Sequence, residues 1–184
     1  MRPVKDIRVM WYTPQVYIDA ARAVMGDIDL DPATDDRVQK RIQARRYYTV
    51  HTNGLDKDWY GRVWINSPYE PKLLEFAGKA VSEWQSRRVT QMIFLTHTSE
   101  TWQNWFQNLG QHCNAICLHR DRIRWTGDHT GVFTDNNGAE QEAHFSDLDQ
   151  PLDAEYSVHG SVFFYFGPDD KMFKKVFARF GFVK

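Results

Sequence analysis

The sequence has no long apolar run, few cysteines and almost no net charge. No stretch approaches the roughly 20 apolar residues that a membrane-spanning helix needs. The opening MRPVKDIRVMWYTP lacks the apolar core of a signal peptide. These features predict a cytosolic protein with no membrane partner. Two cysteines, Cys113 and Cys117, are too few for a disulfide scaffold and read as small buried hydrophobes. Seven histidines are scattered, with no ligand-spaced pair on an expected helix, so no metal is expected. Lys and Arg total 23 against 24 Asp and Glu, a formal net charge of −1. That excludes nucleic-acid binding by bulk positive charge, but not a local basic face. G-x-G-x-x-G, the P-loop, H-E-x-x-H, G-x-S-x-G and the zinc-deaminase signature are all missing.

What is present is a mixed α/β pattern. The 184 residues favour one domain over 1–184, with no repeat and no linker. Aromatic residues make up 15%, enough for a large core or a stacking surface. Thr13 and Pro14 mark a helix start, Val16, Tyr17, Ala20, Ala21 and Val24 follow at helical spacing, and Gly26 can close it. Ile28 and Leu30 alternate with acids up to Pro32, which predicts a short strand and a polar turn. Residues 35–46 read as a charged helix, whose Arg37, Lys40, Arg41, Arg45 and Arg46 form either a solvated face or a phosphate-contacting patch. Strands are expected at 47–50, 62–65, 92–95, 115–118 and 162–166, and helices from about Pro71, after Thr98 or Ser99, and around Phe173 to Phe180. Trp102 and Trp105 are expected in the core. Arg120, Arg122 and Arg124 alternate, so a strand there aims them to one side. No Lys or Arg occurs from Asp128 to Asp170, which reads as an acidic surface excursion at about 127–160.

One tetrapeptide carries chemistry. Asn66-Ser67-Pro68-Tyr69 directly follows an apolar strand. Open α/β sheets place ligands at the carboxyl ends of their strands. Methylating an exocyclic amine of a base needs two acceptors for its N–H hydrogens, because the nitrogen lone pair is delocalised into the ring. It also needs a flat platform and an in-line methyl donor. The Asn66 side-chain oxygen and the Ser67 backbone carbonyl can be the acceptors. Pro68 stiffens the turn, and Tyr69 offers the platform.

With these residues in view, the chain resembles the bacteriophage-type DNA adenine N6-methyltransferases (Dam-like), whose motif is Asn-Pro-Pro-Tyr. Further blocks match in order: Trp11-Tyr12-Thr13-Pro14, Ile28-Asp29-Leu30-Asp31-Pro32-Ala33-Thr34, Asn53-Gly54-Leu55 followed by Trp59, Thr101-Trp102, Arg122-Ile123-Arg124-Trp125 and Val162 to Gly167. The resemblance implies a class I S-adenosylmethionine-dependent methyltransferase, a Rossmann-like three-layer α/β sandwich. It implies S-adenosylmethionine as cofactor, lined by Thr13, Pro14, Asp29, Asp31, Pro32 and Asn53. It implies DNA as partner, with the target adenine flipped out at a cost of a few kcal/mol. The match includes the Arg122–Arg124 block, so Arg120, Arg122 and Arg124 are expected to form a DNA-contacting rim.

Three departures from the family pattern stand out. Ser67 replaces a proline, which keeps the backbone carbonyl but gives up a fixed φ and adds a hydroxyl. Asn53 stands where an Asp is expected, weakening any charge-assisted bond to the cofactor. The acidic segment would repel a phosphate backbone and is expected to face away from it or to meet another protein. Two other functions fit the same residues: cytosine N4 methylation, or a catalytically inactive methyltransferase-like module that binds DNA or protein. The DNA recognition sequence and the oligomeric state have no signature in the sequence.

Overall fold

The computed structural model describes residues 6–68, 71–134, 140–151 and 159–184, with the backbone alone described for 6–11, 126–134 and 140–151. The chain divides into two compact units: Met1–Pro14 with Arg124–Ser157, and Gln15–Ile123 with Val158–Lys184. In chain order the strands are β1 (Asp6–Tyr12), β2 (Leu30–Asp31), β3 (Arg46–Tyr47), β4 (Gly61–Asn66), β5 (Val89–His97), β6 (Ala115–His119), β7 (Thr126–Thr134), β8 (Glu140–Pro151), β9 (Ser161–Phe166) and β10 (Gly181–Val183). The helices are α1 (Gln15–Met25), α2 (Gln39–Ile42), α3 (Leu73–Gln85), α4 (Asn104–His112) and α5 (Asp170–Phe177).

The smaller unit is an antiparallel sheet in the order β1-β7-β8. The stretch expected as an acidic excursion supplies β7 and β8, and β1 had no counterpart in the sequence reading. The larger unit is a seven-stranded sheet in the order β3-β2-β4-β5-β9-β6-β10. β3, β2, β4 and β5 run parallel, and β9 runs antiparallel to β5 on one side and β6 on the other. β6 therefore points the same way as β5. The carboxyl ends of five strands, with the amino ends of β9 and β10, lie along one edge of the sheet.

β9 explains why the sheet is covered on both faces. All six of its residues are buried, as expected of a strand with no solvated side. Adjacent side chains on a strand point to opposite faces. Phe163 packs on Tyr17 of α1 and Phe177 of α5, whereas Phe164 packs on Phe106 of α4. α3 lies with α4 on that second face and buries Leu73, Phe76, Ala77, Ala80 and Val81, a helical stripe. Burying each of these phenyl rings contributes roughly 2–3 kcal/mol.

Several boundaries differ from the sequence expectation for local reasons. The charged helix expected over 35–46 contracts to the four residues of α2. The Asp35 carboxylate takes the N–H groups of Arg37 and Val38 in a turn, and Gln43 at φ 51° ends the helix. α4 begins at Asn104, not after Thr98 or Ser99. The Ser99 hydroxyl is bonded to the His97 ring at 2.6 Å and does not cap the helix. Trp102 consequently falls outside the helical stripe and is 72% exposed, against the core position expected of it. β6 ends at His119, and residues 120–125 carry no regular structure, so the expected strand through Arg120, Arg122 and Arg124 is not formed. No helix among the described residues is long and apolar enough to cross a membrane.

Candidate functional site

Asn66 is the last residue of β4, in register with Leu95 of β5. The three residues before it, Val63, Trp64 and Ile65, are fully buried, whereas Asn66 is half-buried. The strand thus anchors the turn in the core and delivers Asn66 to the carboxyl edge. Ser67 continues the ladder for one more bond: its backbone N–H donates to the Leu95 carbonyl at 3.2 Å. Its hydroxyl donates to the same carbonyl at 3.4 Å, so the side chain folds back on the sheet. Pro68 is exposed, and Tyr69 lies outside the described residues.

Two further turns meet in the same unit. Asp31 ends β2, is 1% exposed, and accepts hydrogen bonds from the Ala33 N–H (3.2 Å) and the Gln39 side-chain amide (3.0 Å). Burial pushes its carboxyl up to about 7, opposed by the Ala33 N–H. Pro32 is buried beside it. Gly54 approaches Pro32 so closely that a Cβ there would collide with the Pro32 carbonyl oxygen. The Gly54 carbonyl in turn accepts the indole N–H of the fully buried Trp59 at 2.8 Å. Asn53 holds a left-handed backbone at φ 46°, a region asparagine tolerates. Its side-chain oxygen accepts from Leu55 N–H (3.3 Å), and its amide donates to Asp56 (2.7 Å). An aspartate in this rotamer would set two carboxylates against each other, which gives the asparagine a physical reason.

Asp29 is placed differently. It precedes β2, its N–H donates to the Arg62 carbonyl near the start of β4, and its carboxylate is gripped by the Arg62 guanidinium at 2.8 and 2.9 Å. The Arg62 hydrogen bond holds its carboxyl below the usual range. Arg62 and Asn66 are four residues apart on one strand, about 13 Å at the usual rise, so Asp29 and Asn66 sit towards opposite edges. Thr13 (buried) and Pro14 (half-buried) belong to the smaller unit, as does the exposed Arg124. Arg120 and Arg122 are exposed in the larger unit, just past the carboxyl end of β6, and Arg120 donates to the Ala178 carbonyl at 3.3 Å. The supporting roles of Gln39 and Arg62 were invisible in the sequence, since each acts on a partner chosen by the fold.

The remaining chemistry is narrow. Burial pushes the Cys113 thiol up to about 11 and the Cys117 thiol up to about 12, which keeps both protonated and poor as nucleophiles. Among the described residues, no group of three or more His, Cys, Asp or Glu could hold a metal ion. What the carboxyl edge offers is a set of fixed hydrogen-bond acceptors on rigid turns.

The family model "DNA N-6-adenine-methyltransferase (Dam)" matches residues 2–162. The chain belongs to this family. A similar protein is the DNA N-6-adenine-methyltransferase of Haemophilus phage HP1 (strain HP1c1), 27% identical over 140 residues, 74% of this chain and 78% of the relative. Membership in the Dam family indicates a DNA adenine N6-methyltransferase and implies S-adenosylmethionine as the methyl donor. A seven-stranded α/β sheet with helices on both faces accords with such an enzyme. The residues fit the implied donor in the shape of the cradle: Gly54 packs on Pro32 so closely that a Cβ would collide with its carbonyl, and the Asp31 carboxyl ties the turn down from within.

Proposed function

We propose that the chain transfers a methyl group from S-adenosylmethionine to N6 of an adenine extruded from DNA, on a class I methyltransferase sheet, with Asn66-Ser67-Pro68-Tyr69 holding the base. The observation that carries this reading is the half-buried Asn66 at the carboxyl end of a buried parallel strand, followed by a turn that the Leu95 carbonyl ties down. The parallel run β3-β2-β4-β5, within a sheet that α1 and α5 cover on one face and α3 and α4 on the other, chiefly over β5, β9 and β6, supports the three-layer assignment.

S-adenosylmethionine, when bound, supplies an electrophilic methyl on a sulfonium sulfur. The chain's residues do the rest. The Asn66 side-chain oxygen and the Ser67 carbonyl accept the two amino hydrogens of adenine, drawing the nitrogen towards a tetrahedral geometry and freeing its lone pair. Tyr69 holds the base plane. Because the Ser67 N–H and hydroxyl are both spent on Leu95, neither competes for the base, and the ladder bond restores the stiffness that a proline would bring. We assign the cofactor floor to the turns Asp31–Pro32 and Asn53–Gly54. Asp31 acts there by shaping the turn, since both of its oxygens are engaged within it. Asp29 holds β2 to β4 through Arg62. The contact of Thr13 and Pro14 with the cofactor rests on the family resemblance alone. Arg120, Arg122 and Arg124 contact phosphates.

The test is to incubate the protein with labelled S-adenosylmethionine and unmodified DNA, digest the DNA, and identify the labelled nucleoside. N6-methyladenine is expected. N4-methylcytosine would move the substrate to cytosine. No label, with cofactor binding intact, would make the chain a binding module.

A further inference from the structure

Trp102 stands apart from the other tryptophans whose side chains are described. Trp59 and Trp64 are fully buried, Trp105 and Trp125 are 7% and 5% exposed, and Trp84 is half-buried, whereas Trp102 is 72% exposed. Its mount is nevertheless well tied down. The Thr98 N–H donates to the Gly160 carbonyl (3.0 Å) and the Gln103 N–H to the Glu100 carbonyl (3.0 Å). The Gln107 amide donates to the Thr101 carbonyl (2.6 Å), and the Trp105 indole to Glu100 (3.4 Å). A bare indole on a pinned turn forgoes a large hydrophobic gain without the excuse of a loose segment.

The position of the ring gives it a use. The turn leaves the carboxyl end of β5, the strand paired with β4 and in register with Asn66. Its chain neighbours Thr101, Gln103 and Asn104 are polar and exposed, unlike the apolar residues that protein interfaces favour beside an aromatic anchor. A single flat ring bordered by hydrogen-bonding side chains suits one nucleobase, because every base has a π-face. Arg120 and Arg122, exposed past the end of β6 on the same edge, supply positive charge for the strand that carries the base.

We propose that Trp102 is a DNA-stacking residue that packs on a base bordering the extruded adenine. This rests on the reading of DNA as the substrate. The occupant is a base of the remaining duplex rather than the target itself, whose platform is assigned to Tyr69. Stacking there compensates for the contacts that the duplex loses when the adenine leaves.

The test compares the full-length protein with Trp102→Ala and Trp102→Phe. Affinity is read by fluorescence anisotropy on mixed-sequence duplexes, intact or with one adenine replaced by an abasic site. Trp102→Ala is expected to weaken binding to the abasic duplex roughly tenfold or more and to erase its preference over the intact one. Trp102→Phe should recover part of both. The S-adenosylmethionine affinity and melting temperature should stay at wild-type values, since the side chain is mostly in water. Equal affinity of wild type and Trp102→Ala for the abasic duplex overturns the proposal, as does a change in oligomeric mass with no change in DNA affinity. If wild type makes N6-methyladenine and Trp102→Ala binds DNA unchanged, stacking fails while methyl transfer stands. If wild type makes none but binds DNA through Trp102, the reverse holds.

Discussion

Ser67 donates its backbone N–H to the Leu95 carbonyl at 3.2 Å, a bond that a proline at the same position cannot make. The chain thus fixes the turn after Asn66 through the β4–β5 ladder instead of through a pyrrolidine ring. Ser67→Pro, which makes the Asn-Pro-Pro-Tyr expected from the sequence resemblance, is expected to destabilise this protein by about 1–3 kcal/mol, because the Leu95 carbonyl loses both of the donors Ser67 provides. Ser67→Ala keeps the backbone bond and should keep near-wild-type stability and methyl transfer. Chemical denaturation and initial rates on the two variants check both halves.

Trp59 reaches the turn proposed as the cofactor floor from inside the core. Its indole holds the Gly54 carbonyl, it stacks on Phe76, and the Lys79 ammonium lies 5.6 Å from its ring centre. Trp59→Phe removes the shorter of the two bonds to the Gly54 carbonyl and leaves it the Lys57 N–H at 3.4 Å, at a cost of about 0.5–1.5 kcal/mol. Gly54→Ala should do more harm, since the added methyl meets backbone at Pro32 and not a side chain that can swing away. Both variants are expected to weaken S-adenosylmethionine binding in calorimetry. Unchanged affinity in a folded Gly54→Ala protein would remove this turn from the cofactor site.

Asp31 and Asp29 respond to pH in opposite directions. The Asp31 carboxyl is raised to about 7 by burial, so between the ordinary carboxylate range and pH 7 the folded chain holds a proton that the unfolded chain has released. Its contribution therefore falls as pH rises from about 4 to 7 and levels off above that. Asp29 is depressed by the Arg62 hydrogen bond, so its contribution is present above the ordinary carboxylate value and is lost as pH falls through the lower, folded one. Asp31→Asn should flatten the stability profile between about pH 4 and 7, the window of the Asp31 shift. It should also lose one hydrogen bond, because an amide nitrogen would face the Gln39 donor. Asp29→Asn should lower stability at neutral pH and leave cofactor affinity unchanged, as befits a residue bound to Arg62 towards the far edge of the sheet. Urea titrations across that pH range separate the two residues.

The parts of the fold legible in the sequence were those written in periodicity. Val63, Trp64 and Ile65 announced a buried strand, the stretch from about Pro71 a helix, and Val162 to Phe166 a strongly apolar strand, and each stands where expected. Gly26, at φ +86° with its N–H on the Arg22 carbonyl, closes α1 as its position suggested. What could not be read were side chains with two plausible partners. Asp35 and Ser99 carry good capping groups, but one serves a turn and the other the ring of His97, so the adjoining helices are shorter than their charge and capping signals implied. Trp102 followed as a misreading, because it had helical spacing but no helix. At the candidate site, the strand-end position of Asn66 was legible from the strand before it. The pairing of Asp29 with Arg62 joins residues 33 apart and depends on β2 lying beside β4, which no local pattern encodes.

Asn66→Ala tests the central claim most directly. The variant is to be assayed for labelled methyl transfer to DNA adenine beside calorimetric S-adenosylmethionine binding. The account predicts that transfer falls on the order of a hundredfold or more, with cofactor affinity and melting temperature close to wild type. An Asn66→Ala protein that methylates adenine at the wild-type rate would contradict it.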